Sequence, residues 1–195
     1  MNAELTPDPV TGVDARIAKL GADLRQAISR ALVAEHRVGR LAQLLAAVAE
    51  LHSGADAAAV VTTVKEIVAN LVGCEEMGVF AVQRPGPVLT YVDGIGIDAN
   101  EFAVIPASAE PVAAALATSV VLVPGHPESS PVHGRPVTAC VPLVADGQPF
   151  GLIVLFRLVL QKARLNADDL ELLRFLSDHA SKALGRVAGF PGAAS

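Results

Sequence analysis

The chain has no tryptophan, one tyrosine and two cysteines in 195 residues, and charged residues make up only 18% of it. With aromatics so scarce, alanine and valine carry much of the 52% apolar content. That content and the low charge exclude a disordered chain. The formal net charge is -5 and no run of Lys or Arg interrupts it, which argues against a nucleic-acid surface and against an anionic membrane as partners. Cys74 and Cys140 stand in apolar surroundings and form neither a metal spacing nor a CxxC pair, so a reducing, cytoplasmic setting is expected. The start, MNAELTPDPVTG, lacks the basic-then-apolar pattern of a signal peptide. No apolar run reaches the ~20 residues that a spanning helix needs.

What is present centres on Pro136–Arg157, PVTACVPLVADGQPFGLIVLFR. Val137–Val144 and Phe150–Phe156 read as two strands, and Ala145-Asp146-Gly147-Gln148 as the turn between them, because Asp-Gly accepts positive φ at little cost. Both runs are nearly continuous in apolar residues, which predicts strands covered on both faces in the middle of a sheet. Pro142 cannot donate to a ladder and is expected at a bulge or an interruption of pairing.

Residues 1–12 hold prolines and a glycine and are expected to be loose. From Val13, apolar residues recur alternately four and three apart: Val13, Ile17, Leu20, Leu24, Ala27, Ala31, Ala34, Val38, Leu41, Leu45 and Val48. Such a heptad seam predicts one helix over 13–51. At 1.5 Å per residue it would run roughly 60 Å, more than a domain of this size is wide, so part of it needs another surface. The other reading is two shorter helices split near Gly21 or Gly39. The alanines in the middle of the seam bury little area, which makes that section the weaker one.

A second helix is expected over Asp56–Val72, with Val60, Val64, Ile67, Val68 and Leu71 on one face and Gly73 as its stop. Strands are expected at Glu76–Gln83, Val88–Val92, Phe102–Ile105 and Val120–Val123. Arg84-Pro85-Gly86-Pro87 reads as a turn, Asp93–Asp98 as a loop, and Asp98–Glu101 as a single helical turn. Pro111–Thr118 reads as a short helix. Asn166 is placed to cap a last helix over Ala167–Val187, with Asp168, Asp169 and Glu171 in its first turns. Residues 188–195 are expected to fray.

The order of these elements resembles a GAF domain. The resemblance is carried by LAQLLAAVAELHSGADAAAVVTTVKEIVANLVGCEEMGVFAV, LTYVDGIGID, PVAAALATSVVLVP, TACVPLVADGQPFGLIVLFR and LNADDLELLRFLSDHASKAL, and most specifically by the CVPLVADGQPFGLIVL hairpin. It covers roughly Leu41–Val187. It implies an α+β fold with a six-stranded antiparallel sheet, the first and last helices on one face and a roofed small-molecule pocket on the other. It also implies a sensory or regulatory module of residues 52–187, dimeric through a bundle of its terminal helices. The interface would then take in Ile17, Leu20, Leu24, Val38, Leu41, Leu45 and Val48 of the long helix, and Leu173 and Leu176 of the last one.

No residue set in the sequence asks for catalysis. Glu35, Glu50, Glu66, Asp168, Asp169 and Glu171 read as solvated helix surface. His126 and His133 share a proline-rich loop but have no third ligand at metal spacing, and Ser129 and Ser130 lack an orienting acid. His36 and His179 are satisfied by surface or bundle contacts. Gly94 and Gly96 lack the strand–GxGxxG–helix context of a phosphate loop. One GAF branch reduces free methionine sulfoxide with paired cysteines near the roof, but Ile95–Val137 holds none. The cysteine–histidine pair of the bilin-binding branch and the signature of the cyclic-nucleotide branch are also missing, and no cofactor is assigned. A pocket would be lined by Phe80, Tyr91, Phe102, Ile105, Val112 and Cys140, with the Tyr91 hydroxyl as a polar handle. Alternatively the same side chains fill the space and the fold serves as a ligand-free docking platform. The expectation is therefore a cytoplasmic, non-catalytic homodimer that passes a signal to a protein partner, with or without a small-molecule ligand; the remaining alternative is a GAF-type methionine sulfoxide reductase that uses Cys74 and Cys140.

Overall fold

A computed structural model describes residues 9–83, 88–125 and 131–191, apart from the side chains of 9–12, 14, 15 and 36 in the first helix. The Arg84–Pro87 turn, His126, Ser129 and Ser130, and the ends of both termini lie outside the described residues. The chain divides into two compact units, Met1–Ala46 and Ala47–Ser195.

The first unit is helical. Helix α1, Pro9–Ser53, starts four residues earlier than the heptad pattern suggests and passes Gly21 and Gly39 without a break. Each glycine costs a helix interior about 1 kcal/mol against alanine, too little to outweigh so long a run of hydrogen bonds. The last turns of α1 belong to the second unit, where Leu51 is buried.

Among the described residues the second unit has five strands: β1 Cys74–Gln83, β2 Val88–Ile95, β3 Val104–Pro106, β4 Ala139–Ala145 and β5 Gln148–Leu158. They form one antiparallel sheet in the order β3-β2-β1-β5-β4. The sheet is therefore five-stranded rather than six-stranded. Val120–Val123 contributes only one bridge, in which Leu122 and Cys140 exchange backbone hydrogen bonds of 2.9 and 2.8 Å. Ser119 in the left-handed region (φ 55°) and Pro124 bracket this segment too closely for a longer ladder. The β4–β5 hairpin turns on Asp146 (φ 50°) and Gly147 (φ 74°), both in the left-handed conformation that suits a two-residue hairpin turn. Of the two hairpin strands, β5 is internal. β4 is an edge, yet it is covered on both faces.

That edge is closed side by side with the last helix, α4, Ala167–Leu184. Cys140 is bonded to Leu122, and two residues on Pro142 has no N–H to offer. The carbonyl of Pro142 accepts from Ser177 Oγ, and Val144 N–H donates to Ser181 Oγ at 2.8 Å. Proline is tolerated here because its missing donor falls on the outward side.

Alternation along the strands sends one set of side chains to each face. Toward the helices go Met77, Val79, Ala81, Val141, Leu143, Ile153 and Leu155, all buried. Helix α2, Ala57–Ile67, is capped by Asp56, whose side chain accepts from Ala59 N–H. It runs into a π turn, Val68–Val72, before Gly73 (φ 74°) stops it. The wider turn rotates the buried face, so Val72 is fully buried and Leu71 only half-buried. α4 begins at Asn166 with a capping box to Asp169 and ends at Leu184, three residues before the sequence suggested.

β2 also departs from expectation, continuing through Asp93 and Gly94 to Ile95. Here the glycines serve close approach and not a loop. A Cβ on Gly94 would come within 2.5 Å of the Met77 carbonyl, and one on Gly96 (φ 67°) would collide with that of Glu75.

Candidate functional site

The opposite face of the sheet is roofed by the segment from Ile97 to Leu122, which contains β3 and helix α3, Val112–Thr118, together with Val132 and Val137. All six residues assigned from the sequence to a pocket meet under this roof. Phe80, Phe102, Ile105, Val112 and Cys140 are fully buried, and Tyr91 packs against them half-buried. They form one buried apolar cluster between sheet and roof. Tyr91 meets Phe80 edge to face at 5.9 Å, and Phe102 contacts Phe156 at 5.0 Å and His133 at 5.3 Å. His133 Nε2 lies 2.9 Å from the Val104 carbonyl, to which it donates, so this histidine is engaged in holding β3. Burial, with the Asp93 charge nearby, raises the Tyr91 hydroxyl above its ordinary range.

A network of charges that the sequence did not reveal lies at one end of the sheet. Glu76, read as an ordinary strand residue, is 9% exposed and sits between two guanidinium groups, Arg135 at 2.9 Å and Arg157 at 3.0 Å. Arg135 also reaches Glu101 at 3.5 Å and lies over the Phe102 ring, while Arg157 reaches Glu75 at 3.4 Å. The only signal in the sequence was an acid set inside an apolar strand. Asp169 likewise departs from the solvated role read for it. It is 1% exposed and holds Lys162 at 2.8 Å, in addition to its place in the capping box.

The two thiols are protected. Cys74 Sγ–H lies 3.2 Å from the carbonyls of both Glu76 and Arg157, and burial pushes its pKa up to about 11. Cys140, inside the roof cluster, is pushed up to about 12 by the same cause. Neither has thiolate character at neutral pH. Among the described residues no group of three His, Cys, Asp or Glu could hold a metal ion, and no helix is long and apolar enough to cross a membrane.

The candidate interface is a different surface. Along α1, Ile17, Leu20, Leu24, Val38, Leu41 and Leu45 are between 57% and 70% exposed, and Ile28, Leu32 and Val33 join them on the exposed surface. Val48 is half-buried. Leu173 and Leu176, assigned to the same interface, are 0% and 1% exposed. They are interior residues of the second unit, because α4 packs flat on its own sheet and uses its apolar face there. At the end of α1, His52 Nε2 lies 3.1 Å from His179 Nδ1 of α4, and the His179 ring stacks on Phe175.

Compared with protein families, the chain matches the GAF domain model over residues 54–185. No curated protein matches it. Among solved structures, it is similar to free methionine-R-sulfoxide reductase from Neisseria meningitidis, with 20% identity and a TM-score of 0.61, over 72% of this chain and 85% of that one. It is similar to the GAF domain/HD domain protein from Geobacter sulfurreducens, with 17% identity and a TM-score of 0.55, over 69% and 95% of the two chains. The second GAF domain of DevS from Mycobacterium smegmatis aligns with 20% identity and a TM-score of 0.54, over 66% and 93%. At these identities the likeness is one of fold.

Proposed function

The chain belongs to the GAF domain family, and on that premise we propose that it is a non-catalytic regulatory module of the cytoplasm, paired with a second copy of itself through α1 and acting on a protein partner. The observation that carries this reading is the row of exposed aliphatic side chains on α1. An isolated helix cannot bury its own stripe, and exposed apolar area on this scale marks an interaction surface. A four-three spacing of those residues suits knobs-into-holes packing against an identical helix. Sedimentation of the L41E/L45E double variant tests it. The expected result is a dimer for the parent chain and a monomer for the variant. A variant that remains dimeric, or a parent chain that is monomeric, overturns the pairing.

The buried cluster under the roof leaves both a small-molecule input and a ligand-free contact platform compatible with this reading. The two thiols speak against cysteine-based sulfoxide reduction. Sulfoxide reduction by a cysteine enzyme begins with a thiolate attacking sulfur, whereas both thiols here are buried and stay protonated far above neutral pH. Free methionine sulfoxide should therefore be left unreduced by the parent chain, as by a C74A/C140A variant. Turnover that those two substitutions abolish would restore the reductase reading.

A further inference from the structure

A half-open cleft of about 600 Å³ lies beside the end of β5, away from the roof cluster's centre, between the Val123 segment and the loop joining β5 to α4. Its volume is within the range of small-molecule sites. Its wall is apolar, built on Val123, Phe156 and Leu158, and its rim carries Arg157, Lys162 and Arg164. Among the described residues no acidic side chain lines it.

The three cations are not equivalent. Arg157 is already paired with Glu75 and Glu76, and Lys162 with Asp169 and the carbonyl of Val72. Arg164 makes no ion pair or hydrogen bond among the described residues and is exposed at the mouth. The loop that carries it is anchored at its base, where Val159 N–H donates to the Gly73 carbonyl at 2.9 Å and Lys162 N–H to that of Val159 at 2.8 Å. Beside the same mouth, Leu160 is 96% exposed, an apolar side chain for which the fold supplies no cover.

We propose that this cleft binds a monoanionic amphiphile, a carboxylate with a hydrocarbon body. The chain of the ligand lies along Phe156 and Leu158, Leu160 closes over it, and the carboxylate forms a two-point pair with the Arg164 guanidinium. A single uncommitted guanidinium matches one negative charge. A phosphate dianion would require Arg157 or Lys162 to give up a protein carboxylate. The site is independent of pairing through α1, and it would give the module an input outside the centre of the roof cluster.

The test is calorimetric titration of the full chain with decanoate, and with decanol as the uncharged control. Saturable binding of one decanoate per chain is expected, with decanol at least tenfold weaker. R164Q should weaken decanoate at least tenfold and leave decanol unchanged. L160D, at a position too exposed to disturb folding, should weaken both. No saturable binding of decanoate overturns the proposal, as does equal affinity for the alcohol or an R164Q variant that binds like the parent.

Discussion

Leu20, Leu24, Leu41 and Leu45 of α1 and Leu172, Leu173, Leu176 and Leu184 of α4 are the same residue on the same helical period. The first four are more than half exposed, and the second four are at most 2% exposed. Period alone reports that a stripe exists. What the stripe covers depends on the surfaces available within its unit. α4 has a sheet beside it, and its buried leucines lie on β4 while Ser177 and Ser181 reach the strand's backbone. The described residues of the unit Met1–Ala46 form one helix, and among them there is no second element for its stripe to cover.

The sharpest test of that contrast is the same truncation made in both helices. Leu173→Ala should lower the stability of the second unit by about 2–5 kcal/mol, the usual cost of a cavity at a fully buried leucine. Leu20→Ala should change it by less than about 0.5 kcal/mol, as at a site without buried contacts, when both are followed by urea unfolding. Equal losses would mean that α1 is part of the same cooperative core. A smaller effect is expected from Ser181→Ala, which leaves the Val144 N–H without its acceptor. An unpaired buried donor costs about 1–3 kcal/mol, and this part-buried one should fall at the low end, read again as a shift of the unfolding midpoint with an unchanged slope. Should the loss be negligible, the contact of α4 with the sheet edge would be held by its leucines alone.

The smallest effect concerns the polar contact of His52, at the end of α1, with His179 of α4. Burial first, then the His52 and Lys182 charges, lower the His179 pKa below its ordinary 6.5, with Asp178 opposing them. The folded state then holds fewer protons than the unfolded one just below that value, so stability rises with pH there. Stability should be complete above about pH 6.5 and decline as the pH falls through the lowered pKa. His179→Gln should flatten this part of the profile, measured as thermal midpoint against pH. A profile unaltered by the substitution would assign the acid loss to other groups.

The order of the elements and the central hairpin were legible in the sequence, because Asp146-Gly147 demands one kind of turn and the apolar runs on either side have one length. The continuity of α1 was legible too, since no proline or cap signal interrupts the seam. The six roof residues were placed together through the family resemblance, and they do meet in one buried cluster. Three features were not legible for physical reasons. Whether Val120–Val123 pairs along its length depends on how tightly Ser119 and Pro124 bracket it, which an apolar pattern does not report. The π turn at Val68–Val72 leaves no mark of its own on composition. The network of Glu76, Arg135, Arg157 and Glu101 joins residues scattered over the chain, and only the folded sheet brings them to one end. Leu173 and Leu176 were misassigned because an apolar stripe looks the same whether a sheet or another subunit covers it.

The closed outer side of β4 limits how copies of this protein can assemble. A strand with idle donors and acceptors invites strand after strand to add, and such growth has no natural end. Here a proline, a one-residue bridge and two serine hydroxyls occupy that side, and at the opposite margin β3 is only three residues long. Open-ended, fibre-like accretion is thereby discouraged at both margins of the sheet.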